Sequence, residues 1–203
     1  MNISIIGAGN VGKALAHSWQ AAGHTLVFGV KQPSDPKHQG LPVDTVISAI
    51  EQAEVVVLAT TWQATQELVE SHQQALAGKI LVDATNPLMG DLSGLSVPSD
   101  TSAGELVATW APGAKVVKAF NTTGFNIMAE PLVKGTATFM PVAGDDADAK
   151  ATVLALAKDL GFDAVDYGPL AGARQLEHFA LVWISLAYRQ GLGRDFGFAL
   201  LRK

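Results

Sequence analysis

Six residues near the amino terminus constrain this chain more than any others. They are Gly7-Ala8-Gly9-Asn10-Val11-Gly12, a G-x-G-x-x-G run between the apolar stretch Ile3 to Ile6 and a segment with apolar residues at Val11, Ala14, Leu15, Trp19 and Ala22. That spacing is helical, so the glycines stand in a strand-turn-helix setting, where each has a physical task. Gly7 permits the tight turn, Gly9 leaves room for backbone to approach a pyrophosphate, and Gly12 lets the helix pack closely on the strand. Asn10 and Val11 then present backbone N–H groups at the positive end of the helix, where an anion is stabilised. A turn that merely needs glycines is the competing reading. The same residues nearly spell a P-loop, since Gly7, four residues, Gly12 and Lys13 fit G-x-x-x-x-G-K, and Asp83 ends an apolar strand as a magnesium-binding aspartate would. That reading fails at Ala14, which stands where a magnesium-ligating Ser or Thr is required, and Lys13 becomes a solvated helix residue.

The rest of the chain alternates short β-branched runs with longer helical ones, the pattern of an α/β protein with a mostly parallel sheet. Strands are expected at Ile3 to Ile6, Thr25 to Val30, Val55 to Ala59, Ile80 to Val82, Val116 to Phe120, Thr138 to Ala143 and Ala164 to Tyr167. Helices are expected after Gly9 with Gly23 as C-cap, from Asp44 as cap through Ile50, and over Trp62 to Leu76, Ala103 to Trp110, Ala147 to Leu160 and Ala171 to about Gln190. With 203 residues and no linker or repeat, this reads as one dinucleotide-binding Rossmann-like domain over 1–203 with a short C-terminal helical region. A formal charge of −5 argues against nucleic acid as a partner. Zero cysteines exclude thiolate catalysis and Cys-ligated metal sites. No leader or membrane span is visible, so a soluble, cytoplasmic protein is expected.

Cofactor preference is read at the end of the second strand, where an NAD enzyme places an acid on the ribose hydroxyls. Phe28-Gly29-Val30-Lys31-Gln32 has none, and Lys31 meets a 2′-phosphate as a point charge. NADP is therefore favoured over NAD, the alternative being one more exposed lysine. Asn121-Thr122-Thr123-Gly124 and Asn86-Pro87 each follow a strand at the edge where open α/β sheets bind ligands. For Asn121 the competing reading is a turn in which it bonds its own backbone. Trp62 either walls the acceptor pocket or packs. Arg174 either binds an acceptor phosphate or carboxylate or pairs with Glu177 one helical turn on. Asp145, Asp146 and Asp148 are read as favouring a helix dipole, and no metal site is expected. The glycine-rich Gly191 to Gly197 is a terminal turn or part of a homodimer contact.

These residues resemble the family of NADP oxidoreductases that use the deazaflavin coenzyme F-420, whose fold also forms the reductase domain of the STEAP-type metalloreductases. The likeness runs through Gly7 to Ala16, Ala22-Gly23-His24, Phe28-Gly29, Trp62, Val116-Val117-Lys118-Ala119-Phe120-Asn121-Thr122, Pro141 to Asp146, Asp166 to Leu170 and Arg174-Gln175-Leu176-Glu177. The short C-terminal region separates the chain from imine and hydroxy-acid dehydrogenases, which append a large helical domain. The resemblance implies an eight-stranded Rossmann-like sheet with NADP across the strand ends and direct hydride transfer to a second coenzyme, without a side-chain acid or base. It implies pyrophosphate contacts at Ala8, Gly9, Asn10 and Val11, and 2′-phosphate contacts at Val30, Lys31 and Gln32. Thr60 would touch ribose or diphosphate, and Ala84, Asn86, Asn121, Thr123 and Phe125 would surround the nicotinamide. The archaeal enzymes carry Ser-Arg-Arg where this chain has Val30-Lys31-Gln32, Ile-Pro-Trp where it has Thr60-Thr61-Trp62, and His where it has Asn121.

The expected activity is hydride transfer between NADP(H) and a deazaflavin, FMN or FAD as co-substrate. An NADPH-dependent flavin or ferric-chelate reductase and a nicotinamide-sensing module without turnover are the alternatives. A homodimer through the C-terminal helix is the expected assembly.

Overall fold

Val55-Val56-Val57-Leu58 has no polar residue and is buried at every position, as a strand covered on both faces requires. The computed structural model describes residues 1–203. Its first half contains β1 (Asn2–Ile6), α1 (Asn10–Ala21), β2 (Thr25–Val30), β3 (Val43–Thr45), α2 (Val46–Gln52), β4 (Val55–Leu58), α3 (Trp62–Ser71), α4 (Gln73–Leu76) and β5 (Ile80–Asp83). There follow α5 (Ala103–Trp110), β6 (Lys115–Lys118), α6 (Phe125–Ala129), the hairpin β7 (Leu132–Val133) and β8 (Thr136–Ala137), β9 (Phe139–Gly144), α7 (Ala147–Asp159), β10 (Asp163–Gly168) and α8 (Ala173–Ile184).

Eight strands form one sheet in the order β10-β9-β6-β5-β4-β1-β2-β3. From β3 to β6 every pairing is parallel. This is the doubly wound order of dinucleotide-binding sheets, with the crevice for a ligand where the winding reverses, between β1 and β4. β9 then runs antiparallel to β6, and β10 parallel to β9. On one face α1 and α7 bury Trp19, whose Nε1 donates to the Leu156 carbonyl at 2.9 Å and whose ring meets Phe120 edge-on at 5.4 Å. The indole thus supplies apolar area without leaving its N–H unpaired. No helix is long and apolar enough to cross a membrane.

Several local expectations are corrected. Thr45, not Asp44, caps α2 by accepting from the Ser48 N–H, because Asp44 still belongs to the edge strand β3 that sequence reading missed. The Asp44 carboxylate instead accepts from Ser48 Oγ at 2.6 Å and from Gln52 Nε2 at 3.1 Å. Gly23 lies one residue beyond the C-cap, Ala22, and is left-handed at φ +88°. The stretch expected as one helix from Trp62 to Leu76 breaks at His72, whose Nδ1 lies 2.8 Å from the Leu68 carbonyl. The last helix starts at Ala173, and beyond Ile184 it loosens into a wider π-type turn over Ser185–Arg189.

Candidate functional site

The glycine loop meets its neighbours as the spacing predicts. Gly7 sits at φ +111°, and a Cβ there would lie 2.6 Å from the Ala59 carbonyl oxygen, across the β1–β4 crevice. A Cβ on Gly12 would collide with the Gly7 carbonyl. Gly9 differs, because nothing lies within 4 Å of where its Cβ would be. It is the N-cap of α1, and no side chain caps that helix, as none caps α3, α6 or α8, whereas Thr45, Ser102 and Asp146 cap α2, α5 and α7. The first N–H groups of α1 therefore have no side-chain acceptor and open space in front of them, an arrangement that fits a pyrophosphate.

At one end of the crevice, beside β2, Lys31 is exposed and lines a cleft of about 110 Å³ with Val46, Ala64, Glu67 and Leu68. Val30 is buried in the core beside it, and Gln32 is exposed. Thr60 lies beyond β4, with Oγ1 3.3 Å from Thr65 Oγ1, and the Ala84 N–H after β5 donates to the Leu58 carbonyl.

At the other end, Val11, Asn86, Asn121, Thr123 and Phe125 come together in a pocket of about 300 Å³. They arrive from α1, the loop after β5, the loop after β6 and the first residue of α6. Sequence reading missed its remaining walls, which include Leu88, Leu92, Trp183, Ile184 and Tyr188. The two asparagines interlock: Asn86 Nδ2 donates to the Asn121 carbonyl at 2.8 Å, and Asn121 Nδ2 donates to Asn86 Oδ1 at 3.1 Å and to the Leu176 carbonyl at 3.2 Å. Asn121 thus bonds across to another loop and to α8 rather than to its own backbone. Phe120, just before it, is held at φ +60°, a backbone region that a bulky residue occupies only when its surroundings compel it. Six buried side-chain atoms lack a hydrogen-bond partner; two of them, Asn121 Oδ1 and Thr123 Oγ1, belong to residues that line this pocket, and a third, Asn126 Oδ1, lies in the first turn of α6. Unsatisfied oxygens on pocket-lining residues fit a ligand that brings donors, such as a carboxamide.

Beneath the pocket is a cluster whose structural role sequence reading did not foresee. Asp83 and Lys118 are register partners on the parallel strands β5 and β6, and their side chains are 0% exposed. Lys118 Nζ donates to Asp83 Oδ2 at 2.8 Å, to the Thr85 carbonyl at 2.7 Å and lies 2.9 Å from Glu177 Oε1, so all three of its protons have acceptors. Asp83 Oδ1 accepts from the Thr85 N–H and hydroxyl. Glu177 also receives the N–H groups of Ala103 and Gly104, the first turn of α5. Gly104 permits that approach, since a Cβ there would lie 3.1 Å from Ala173 Cβ. Burial alone would lower the Lys118 ammonium, but the charges of Asp83 and Glu177 outweigh it and hold the group above the ordinary lysine range. Burial pushes the Glu177 carboxyl up, with Lys118 pulling against it. The cluster therefore keeps its cation more firmly than its second anion. A lysine inside an apolar strand and a glutamate on the buried face of a helix were the signals available in the sequence.

Two expected acceptor residues are engaged elsewhere. Trp62 stacks on Trp110 at 5.4 Å and packs on the core between α3 and α5. Arg174 pairs with neither a pocket group nor Glu177; its Nε and Nη2 reach Glu105 Oε2 and Oε1 at 2.8 and 2.6 Å, in a fork whose carboxylate also accepts from Ser102 Oγ. Both oxygens of Asp83 are committed to Thr85 and Lys118, which ends the magnesium reading. Asp146 caps α7 and Asp145 accepts from the Leu170 N–H.

Residues 2–87 match the family described as NADP oxidoreductase, coenzyme F420-dependent. The chain is 31% identical over 185 residues to the metalloreductase STEAP3 of Rattus norvegicus, covering 88% of this chain but 36% of that protein. It is 30% identical over 213 positions to the F420-dependent NADP reductase of Methanothermobacter marburgensis, covering 92% of each. A crystal structure from Arthrobacter sp. FB24, provisionally named an F420-dependent NADP reductase, superimposes with a TM-score of 0.89 at 32% identity over the full length of both chains.

Proposed function

Because the chain belongs to the family of coenzyme F420-dependent NADP oxidoreductases, we propose that it moves a hydride between NADP(H), its nicotinamide in the pocket at Asn86 and Asn121, and a deazaflavin or flavin that enters beside it. The observation that carries this reading is the pocket itself, where Val11 from the uncapped start of α1 meets Asn86, Asn121 and Thr123 and two buried oxygens, Asn121 Oδ1 and Thr123 Oγ1, stand without a partner. When bound, the nicotinamide supplies C4 with its hydride, which goes to the acceptor with both electrons.

The chain's own groups bind, orient and exclude water. The backbone of Gly7, Ala8, Gly9, Asn10, Val11 and Gly12 cradles the pyrophosphate, and Val30, Lys31 and Gln32 receive the 2′-phosphate. Thr60 borders the ribose or diphosphate. Asn121 Oδ1 and Thr123 Oγ1 accept from the carboxamide, with Ala84, Asn86 and Phe125 around the ring. No side chain takes or gives a proton at the reacting carbon, so the protein's contribution is distance and facial choice. Outward apolar residues on and beside α8, Val182 and Tyr167, offer the homodimer contact.

The test is a titration with NADPH and with NADH, followed by addition of the deazaflavin, FMN and FAD while the absorbance of reduced nicotinamide is watched. Tighter NADPH binding and oxidation on adding the deazaflavin are the expected results; binding without oxidation by any acceptor would reduce the reading to a sensor. The similarity to the metalloreductase favours one second reading, a flavin-mediated ferric-chelate reductase. Turnover with FAD plus a ferric chelate, and none with the deazaflavin, would select it.

A further inference from the structure

Residues 190–203 have no regular secondary structure, yet they are strapped across the outer wall of the nicotinamide pocket. Phe196 stacks on Trp183 at 5.3 Å and accepts at its carbonyl from Trp183 Nε1, while Phe198 packs on Phe179 at 4.7 Å. The Arg194 carbonyl accepts from Asn126 Nδ2 at 2.7 Å, which fixes the backbone there. From this anchored position the Arg194 guanidinium lies over the ring of Phe125, 4.8 Å from its centroid. Phe125 lines the pocket, and so do Trp183 and Tyr188.

Arg174 is forked onto Glu105 and Arg202 onto Asp163, whereas Arg194, like Arg189, makes no ion pair; only Arg194 of these two lies over a ring that lines the pocket. Arg194 is exposed, and it has neither an ion-pair partner nor a side-chain hydrogen bond; the nearest carboxylate in sequence, Asp195, is bonded to Asn126. With no acceptor bonded to it, the guanidinium over Phe125 keeps its five donors free, and a phosphate can take two of them in parallel bonds.

We propose that Arg194 is the specificity-determining residue for the acceptor, binding the phosphate carried on the side chain of a flavin or deazaflavin whose ring enters beside the nicotinamide. This rests on the hydride-transfer reading above. It moves the anion-binding role that sequence reading gave to Arg174 onto a residue in the strap. Flavin monophosphate and the phosphodiester of a deazaflavin share the recognised group, and riboflavin lacks it.

The experiment compares FMN with riboflavin on the full-length protein, by KM with saturating NADPH and by flavin fluorescence quenching on the NADP-bound protein, so that binding is read apart from turnover. Loss of a bidentate charge-assisted contact is worth roughly tenfold or more in affinity. The ratio of riboflavin to FMN dissociation constants is expected to be about ten in the parent, to fall to about one in Arg194→Gln, and to take an intermediate value in Arg194→Lys. Arg202→Gln, on the far side of the strap, should leave the ratio where it was. FMN turnover in the parent and in Arg194→Gln separates a deazaflavin-only pocket from one that takes both. Equal binding of FMN and riboflavin by the parent, or an unchanged ratio in Arg194→Gln, overturns the assignment alone. Failure of either flavin and of the deazaflavin to bind overturns the acceptor pocket and this assignment with it.

Discussion

The two ends of the crevice are built from opposite materials. At Gly7 to Gly12 the site consists of backbone, and what matters is where side chains are absent; two of the three glycines are forced by the protein's own atoms and the third by none of them. At the Asn86 and Asn121 end the site consists of side chains from four chain segments, and it rests on Lys118, Asp83 and Glu177. Binding through peptide groups tolerates great drift in sequence so long as a few positions stay small. A site assembled from interlocked amides tolerates little drift and can be altered to take a different acceptor by few changes.

The first way to break the comparison is Lys118→Met, which strands two buried carboxylates without their cation. A loss of about 3–5 kcal/mol is expected by denaturant unfolding, and a loss below about 1 kcal/mol would mean the cluster is not the foundation described here. Next in size is Gly12→Ala, whose methyl meets the Gly7 carbonyl; overpacking of this kind costs about 1–3 kcal/mol. Gly9→Val sharpens the contrast, because its side chain enters open space. Its stability should fall by no more than about 1 kcal/mol, the cost of a poorer N-cap, while NADPH affinity falls by about tenfold or more, equivalent to about 1.4 kcal/mol. Parallel losses of stability and affinity would show that Gly9 serves the fold.

The smallest effect belongs to the acid limb of stability. The Arg174 hydrogen bonds hold the Glu105 carboxyl below its ordinary value, against the opposing effect of burial. A depressed carboxylate contributes stability that is present above its unfolded value of about 4.3 and is lost as pH falls through the lower folded value. Glu105→Gln should therefore flatten the decline below about pH 4 and cost less than about 1 kcal/mol at neutral pH, since Arg174 is partly solvated. An unaltered acid limb would count against the pair.

The contrast also explains what was legible beforehand. The glycine loop could be read because its information is local: strand, turn and helix lie within twenty consecutive residues. The parallel strands were legible from continuous apolar runs, with errors at β3 and Asp44, where three residues of edge strand carry no periodic signal. Asn86, Asn121, Thr123 and Phe125, expected near one another, do line one pocket, which Ala84 does not, and their neighbours Leu176 and Trp183 were not foreseen, because α8 reaches the pocket through tertiary packing. Arg174 misled for the same reason. Its nearest acid in sequence, Glu177, is turned inward to Lys118, and Glu105 comes to it from another helix.

Lys118 is buried at the centre of the charge cluster, and no other lysine in the chain is buried. An amine-reactive reagent in solution can acylate it only when β5, β6 and α8 part. Mass spectrometry of that one position therefore times the opening of the native protein, with the surface lysines beside it as an internal standard for reagent strength.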